Sequence, residues 1–127
     1  MSEQLTRNFN SAEFACHCCN HVGDHDLHPL ANALQALRNA INKPVHLNCG
    51  YRCPRHNASV GGAPHSQHME GRAADIVVPG MSPSQVARYA ELIPAFRNGG
   101  IGIYDTFTHV DIRPNGPARW DLRSKRS

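Results

Sequence analysis

A long glycine-rich connection limits the fold of this chain more than any other feature of its sequence. Residues 50–73 read GYRCPRHNASVGGAPHSQHMEGRA, an extended segment without clear helical or strand periodicity. The residues before it, VHLNC (45–49), alternate as in a strand with Val45, Leu47 and Cys49 on one side, and ADIVV (74–78) follows as a buried strand. Long connections inside a compact domain are uncommon and are usually functional when they occur. We therefore expect the functional site here.

The apolar pattern around this connection predicts an α+β fold. Two helices are expected, one that starts with Pro29 in its first turn and ends before Pro44, and one that starts at Pro83 with Ser82 as its cap. GGIGIY and THVDIRP read as two short strands of a hairpin. This order of elements is typical of a small, mainly antiparallel sheet with helices packed on one side. The first helix should bury the face formed by Leu30, Ala33, Leu34, Leu37 and Ile41.

Size and charge indicate one soluble domain. The 127 residues (1–127) suffice for one core, and the net charge of +3 comes largely from a basic, solvated tail at about residues 119–127. No apolar run approaches the ~20 residues that cross a bilayer, and the polar start MSEQLTRNFN carries no secretion signal. We expect a cytoplasmic monomer without membrane insertion.

Five cysteines leave two interpretations open. CHCC contains a C-x-x-C pair, Cys16 and Cys19, and CGYRC adds Cys49 and Cys53, so a four-sulfur structural zinc is conceivable. The second pair lacks the usual two-residue spacer, which favours buried thiols, with at most one bridged pair.

Histidine and aspartate residues suggest a second kind of site. In THVDIRP, His109 and Asp111 face away from Thr108 and Val110 because side chains alternate along a strand. If this strand lies beside ADIVV, His109 approaches Asp75 and His68, and together they could form a catalytic zinc site with one open position. A hydrogen-bonded polar cluster fits the same residues.

The motif and its surroundings resemble a known family. SQHMEGRAAD matches S-x-H-x-x-G-x-A-x-D, and together with GYRCPRHN, GGIGIY and THVDIR it is similar to the zinc D-Ala-D-Ala carboxypeptidase and L-alanyl-D-glutamate endopeptidase family. That family shares its fold with the hedgehog signalling domain. The resemblance spans roughly residues 9 to 120. It implies Zn²⁺ held by His68, Asp75 and His109.

The resemblance also implies roles beside the metal. Arg52 matches an arginine that steadies the substrate carbonyl or carboxylate. Ser66 is expected to order the loop or support the zinc site. His65 is a candidate for the cleft wall, with a solvated loop histidine as the alternative.

The proton acceptor departs from the family pattern. Many members carry an acid three residues before the last histidine, where this chain has Thr106. Asp111, in an H-x-D arrangement, is the expected general base or partner of the zinc site, with Asp105 and then Glu70 as alternatives.

The function implied is a zinc metallopeptidase that cleaves amide bonds in peptidoglycan stem peptides, as a carboxypeptidase or endopeptidase. A small domain without a signal peptide resembles a phage or prophage endolysin released through a holin or another route. The rival is a non-catalytic zinc-binding module of hedgehog-like fold, favoured by Thr106. A nucleic-acid-binding Cys/His module would need paired C-x-x-C spacing, which the chain lacks.

Overall fold

Five short strands form one sheet in the computed structural model, which describes residues 3–17, 26–62 and 66–124. Two 3-10 helices, Ser11–Phe14 and Gln67–Glu70, accompany four α-helices. The strands are β1 (His46–Cys49), β2 (Ala73–Val77), β3 (Gly100–Ile103), β4 (Thr108–Asp111) and β5 (Ala118–Asp121). The helices are α1 (His28–Ile41), α2 (Pro54–Ser59), α3 (Pro83–Ala90) and α4 (Pro94–Arg97).

The sheet is mainly antiparallel, with the strand order β1-β2-β4-β3-β5. The pairs β1/β2, β2/β4 and β3/β4 are antiparallel, and β5 joins β3 in parallel. Helices pack against this sheet, so the predicted α+β fold and the β3/β4 hairpin are confirmed.

The core lies between the helices and one face of the sheet. Every residue of the predicted α1 face is buried, and this face joins Ile76, Val110 and Ile101 from three neighbouring strands in one cluster. Burial of a single large aliphatic side chain stabilises the fold by about 1.5–3 kcal/mol. The many buried side chains of this layer therefore hold one face of the sheet against α1 and α3. The other face remains available for polar side chains.

Ser82 caps the start of α3 as the sequence predicts. The Ser82 hydroxyl accepts a hydrogen bond from the backbone N–H of Gln85, whose side chain accepts one from the backbone N–H of Ser82. This capping box, with Pro83 in the first turn, sets the start of α3. None of the helices in the described part of the chain has the length and apolarity needed to cross a bilayer.

The connection at residues 50–73 differs from the expected extended loop. It contains α2 and the 3-10 helix Gln67–Glu70. Pro54 stands at the start of α2, where its missing N–H costs nothing. A helix this short has too few turns to show an apolar period, which is why its sequence reads as irregular.

The C-terminal segment also differs from the expected solvated tail. Residues 118–121 form β5, whose backbone pairs with β3 and whose Trp120 is partly buried. The β5 sequence, ARWD, has one large apolar residue and no fully buried position, so it lacks the alternating apolar pattern that predicts a strand.

Candidate active site

One row of side chains crosses all five strands on the face opposite the core. The pairing registers place Cys49 opposite Asp75, Asp75 opposite His109, His109 opposite Gly102, and Gly102 opposite Trp120. Directly paired residues project from the same face of a sheet. A Cβ on Gly102 would collide with Nε1 of Trp120, so the indole occupies the space that a side chain would need. Trp120 can therefore lie against the His109 ring, at 4.9 Å between centroids.

Cys49 belongs to this row because β1 is irregular. The pairing with β2 shifts between Leu47 and Cys49, so Leu47 lies opposite the core residue Ile76 while Cys49 lies opposite Asp75. The expectation that Leu47 and Cys49 share one side is wrong, because a bulge adds a residue and reverses the alternation.

His68 enters the site from the 3-10 helix rather than from the sheet. The Ser66 hydroxyl caps this helix by accepting a hydrogen bond from the His68 backbone N–H at 3.2 Å. Gly71 ends it with a φ of 68°, a left-handed conformation that glycine adopts readily. The ring is buried, with Nδ1 2.8 Å from the Gly50 carbonyl oxygen, so Nδ1 donates to that carbonyl and Nε2 faces the site. Nε2 lies 3.3 Å from Oδ1 of Asp75.

The same Asp75 oxygen lies between two imidazoles. Nδ1 of His109 is 3.1 Å from Oδ1 of Asp75, and Nε2 of His109 is 2.7 Å from Oδ2 of Asp111. A tetrahedral zinc ion with bonds of about 2.0–2.1 Å separates its donor atoms by about 3.3 Å. The two imidazole nitrogens lie 3.3 and 3.1 Å from Oδ1 of Asp75, which matches that spacing. The other nitrogen of each ring is hydrogen-bonded to an oxygen, from the Gly50 carbonyl for His68 and from the Asp111 carboxylate for His109. Zinc-binding histidines typically have such partners, so these residues fit Zn²⁺.

The side chains of His68, Asp75 and His109 shift one another's pKa values. Burial alone would raise the pKa of Asp75, but hydrogen bonds from His109 and His68 outweigh burial and hold that pKa well below its usual range. Burial alone would lower the imidazole pKa values, yet Asp75 and Cys49 raise the pKa of His68, and Asp111 and Asp75 raise the pKa of His109. In the absence of metal, the site therefore holds protons where a cation would bind.

Asp111 lies beneath His109 and is fully occupied by hydrogen bonds. Its side chain is 0% exposed. Oδ1 accepts from the backbone N–H of Gly100 at 2.8 Å and from Nε of Arg113 at 2.9 Å, and Oδ2 accepts from Nη2 of Arg113 at 2.6 Å. These bonds oppose the effect of burial and keep the pKa of Asp111 well below its usual range. The carboxylate is a fixed anion that orients the His109 ring.

A cleft of about 440 Å³ opens above the three donors. Nη2 of Arg52 donates to the Ser66 hydroxyl at 3.1 Å, while its buried Nε has no hydrogen-bond partner among the described residues. Across the cleft, Tyr104 and Phe107 stack at 4.4 Å between centroids, and Nε1 of Trp120 donates to the Tyr104 hydroxyl at 2.9 Å. The cleft thus has a cationic side and an aromatic side.

The structure brings most of the predicted site residues together. Five of them line the cleft, namely Arg52, Ser66, His68, Asp75 and His109.

The candidates for the proton acceptor lie elsewhere. Asp111 is under the floor, Glu70 is exposed outside the cleft lining, and the Asp105 carboxylate accepts hydrogen bonds from Ser124. His65 lies outside the described residues. Among the described residues, Asp75 is the one carboxylate that lines the cleft.

Sequence reasoning missed three neighbours of the site: Cys49, Arg113 and Trp120. The Cys49 sulfur, with donors of His68 and Asp75, forms a group whose atoms all lie within 4.8 Å of one another. However, this sulfur is 3.7 Å from Nδ1 of His68, the nitrogen that faces the Gly50 carbonyl. The Nε2 side, shared with Asp75, is therefore the better metal position. Arg113 lies over the Trp120 ring at 5.4 Å, and the H-x-D-x-R spacing was the available signal for it.

Comparison with known proteins agrees with this geometry. Residues 7–111 match the model of the Peptidase M15 family, and the chain belongs to that family. It is 40% identical over 85 residues to the probable peptidoglycan L,D-endopeptidase MepK of Haemophilus influenzae, a match covering 61% of this chain and 42% of MepK. It is 50% identical over 44 residues to the zinc D-Ala-D-Ala carboxypeptidase of Streptomyces albus G, covering 34% of this chain and 17% of that enzyme. The chain therefore spans less than half the length of either relative.

The predicted zinc cofactor agrees with the donor geometry and with the metal in the name of the Streptomyces relative. The family resemblance inferred from SQHMEGRAAD is confirmed by the match to Peptidase M15.

Proposed function

We propose that this protein is a zinc-dependent peptidase that hydrolyses amide bonds in peptidoglycan stem peptides. The observation that carries the proposal is that Oδ1 of Asp75 lies at zinc-ligand spacing from both Nε2 of His68 and Nδ1 of His109 on the floor of a cleft. Membership of the Peptidase M15 family and the names of the two relatives support the reaction and the substrate class.

His68, Asp75 and His109 would hold the zinc ion through Nε2, Oδ1 and Nδ1 respectively. Bound zinc supplies Lewis-acid activation of water and of the scissile carbonyl. The chain holds the three donors rigidly, since the Gly50 carbonyl and the Asp111 carboxylate fix the two ring orientations. Such preorganisation removes reorganisation cost from the reaction.

Arg52 is suited to the charge that develops on the scissile carbonyl. Its Nη2 is fixed by Ser66, and its buried, unpartnered Nε points to a ligand oxygen as the missing acceptor. A buried donor without a partner costs free energy that a substrate oxygen would recover. We assign Ser66 to orienting Arg52 and His68, because its oxygen accepts hydrogen bonds from both.

We assign Asp111 to positioning His109 rather than to proton transfer. Its oxygens take part in five hydrogen bonds, from Gly100, His109 and Arg113, and it does not line the cleft. A general base needs a lone pair within reach of the attacking water.

The test uses defined muropeptides and mass spectrometry of the products. His68→Ala and Asp75→Ala should each abolish zinc retention and hydrolysis, and a chelator should do the same to the unaltered protein. Glu70→Gln, on the same 3-10 helix but exposed, is the matched control and should retain both. Full hydrolysis by zinc-free His68→Ala protein would refute the proposal.

The same spectra identify the bond. A D-Ala-D-Ala carboxypeptidase releases free D-alanine, whereas an endopeptidase releases larger fragments. We further propose that the protein is a monomer that acts as an endolysin on the cell wall after release from the cytoplasm. Expression with and without a holin should then change the rate of lysis, and equal lysis in both would contradict the endolysin role.

A non-catalytic zinc-binding module is the second candidate. It is favoured by the cleft lining, in which Asp75 is the one carboxylate among the described residues and is itself a metal donor. Stoichiometric zinc without any product from muropeptides would establish this alternative.

A further inference from the structure

Two cysteines from distant parts of the chain meet outside the cleft. Sγ of Cys16, just after the 3-10 helix Ser11–Phe14, lies 3.6 Å from Sγ of Cys53 at the start of α2. Cys16 is buried and Cys53 is partly buried. Cys49 lies instead beside His68, and Cys19 of the C-x-x-C pair lies outside the described residues.

The separation of the two sulfurs matches that of a shared metal ion. Tetrahedral zinc binds thiolate at about 2.3 Å, which places two sulfur ligands about 3.8 Å apart. A disulfide would instead hold the sulfurs at about 2.05 Å. The observed 3.6 Å is close to the spacing of zinc ligands.

Backbone N–H groups point at both sulfurs. The N–H of Cys53 donates to Sγ of Cys16 at 3.4 Å, and the N–H of His56 donates to Sγ of Cys53 at 3.4 Å. Outer hydrogen bonds of this kind orient and stabilise metal-bound ligands.

Imidazoles flank the pair from both chain segments. His17 follows Cys16 directly, and His56 stands in a C-x-x-H spacing after Cys53. Their ring centroids are 6.1 Å apart. His17 is exposed and His56 is partly buried. Thiolate and imidazole together are a donor set that suits zinc.

We propose that Cys16 and Cys53 bind a second, structural zinc ion, with His56 supplying an imidazole ligand. The site joins the amino-terminal segment to the turn that carries Arg52. These segments already lie side by side, since the N–H of Tyr51 donates to the Phe14 carbonyl at 2.8 Å. The second zinc would therefore stabilise the position of the turn that carries Arg52, although neither Cys16 nor Cys53 lines the cleft.

The experiment measures zinc per chain by elemental analysis of the whole protein. The double variant His68→Ala/His109→Ala, which lacks the cleft donors, should retain one zinc. Adding Cys16→Ser and Cys53→Ser should remove it, whereas adding Cys49→Ser, the matched cysteine control, should not. Replacement of this zinc by cobalt in the double variant should produce thiolate-to-cobalt charge-transfer absorption.

Three results would overturn the proposal: no zinc in the double variant, zinc that survives loss of both cysteines, or a Cys16–Cys53 disulfide found by peptide mapping. Alkylation supplies a test that needs no cysteine substitution. In the zinc-loaded double variant, Cys16 and Cys53 should resist a maleimide until a chelator is added, and equal labelling before and after chelation would contradict the second site. None of these measurements requires hydrolysis, so the second zinc site can fail while the proposed peptidase activity holds, and the reverse.

Discussion

Replacement of Asp111 by asparagine should weaken zinc binding far more than it slows the chemical step. The carboxylate accepts hydrogen bonds from His109 and Arg113, both of which present N–H donors to it. An asparagine has the same shape but no charge, and its amide group would direct N–H toward one of these donors. The His109 ring would then lose its fixed orientation.

The size of the effect separates the two roles considered for this residue. Loss of an outer partner of a metal-binding histidine costs about 10- to 100-fold in metal affinity, which is about 1.4–2.7 kcal/mol. Loss of a general base instead costs about 10²- to 10⁴-fold in rate. Zinc affinity is measured by competition with a chromogenic chelator, and kcat is measured on a muropeptide at saturating zinc.

Asp121→Asn is the matched control. Asp121 and Arg123 repeat the geometry of Asp111 and Arg113, with the same 2.9 and 2.6 Å contacts, on β5 and away from the cleft lining. This variant should change neither quantity. If Asp111→Asn leaves zinc affinity intact and lowers kcat at saturating zinc by about 100-fold or more, Asp111 is the base and our assignment fails.

Three further results are expected. Gly102→Ala should destabilise the fold by about 1–3 kcal/mol in thermal or denaturant unfolding, because the new Cβ collides with Trp120; an unchanged midpoint would contradict this close packing. Ser82→Ala should cost about 0.5–2 kcal/mol by removing the α3 cap, and a loss below this range would mean that Pro83 alone sets the start of the helix. Apparent zinc affinity, measured by chelator competition, should fall as pH drops through neutrality: the raised pKa values of His68 and His109 keep both rings protonated to higher pH than usual, and zinc must displace those protons. Affinity that is constant from about pH 6 to 8 would contradict this proton competition.

Much of the fold could be predicted because local patterns and tertiary structure agree. The apolar face of α1, the cap at Ser82 and the alternation in β4 each identify one element and its inward side. The polar pair His109 and Asp111 on the outward side of β4 correctly predicted which face of the sheet carries the site.

The missed features all depend on contacts between distant residues. The bulge in β1 exists only through its pairing with β2, so nothing local could show that Cys49 faces the site. Trp120 owes its place to the space above Gly102. The role of Asp111 was ambiguous in sequence because a base and an orienting partner use the same side chain, and the bonds from Gly100 and Arg113 are what distinguish them.

Because side chains alternate along a strand, the metal centre depends on the register of the strands that form the row from Cys49 to Trp120. One residue inserted within β4 ahead of His109 would turn that imidazole toward the core and bring a neighbouring side chain to the metal face. An insertion in the turn at residues 104–107 leaves both strands in phase, so it should alter the aromatic side of the cleft but keep the metal donors in place. His109 also follows Asp75 by 34 positions, so a nascent chain that ends before β4 offers two donors instead of three. Zinc capture at this site therefore reports that β2 and β4 have paired correctly, and a mispaired molecule should emerge from folding without the ion.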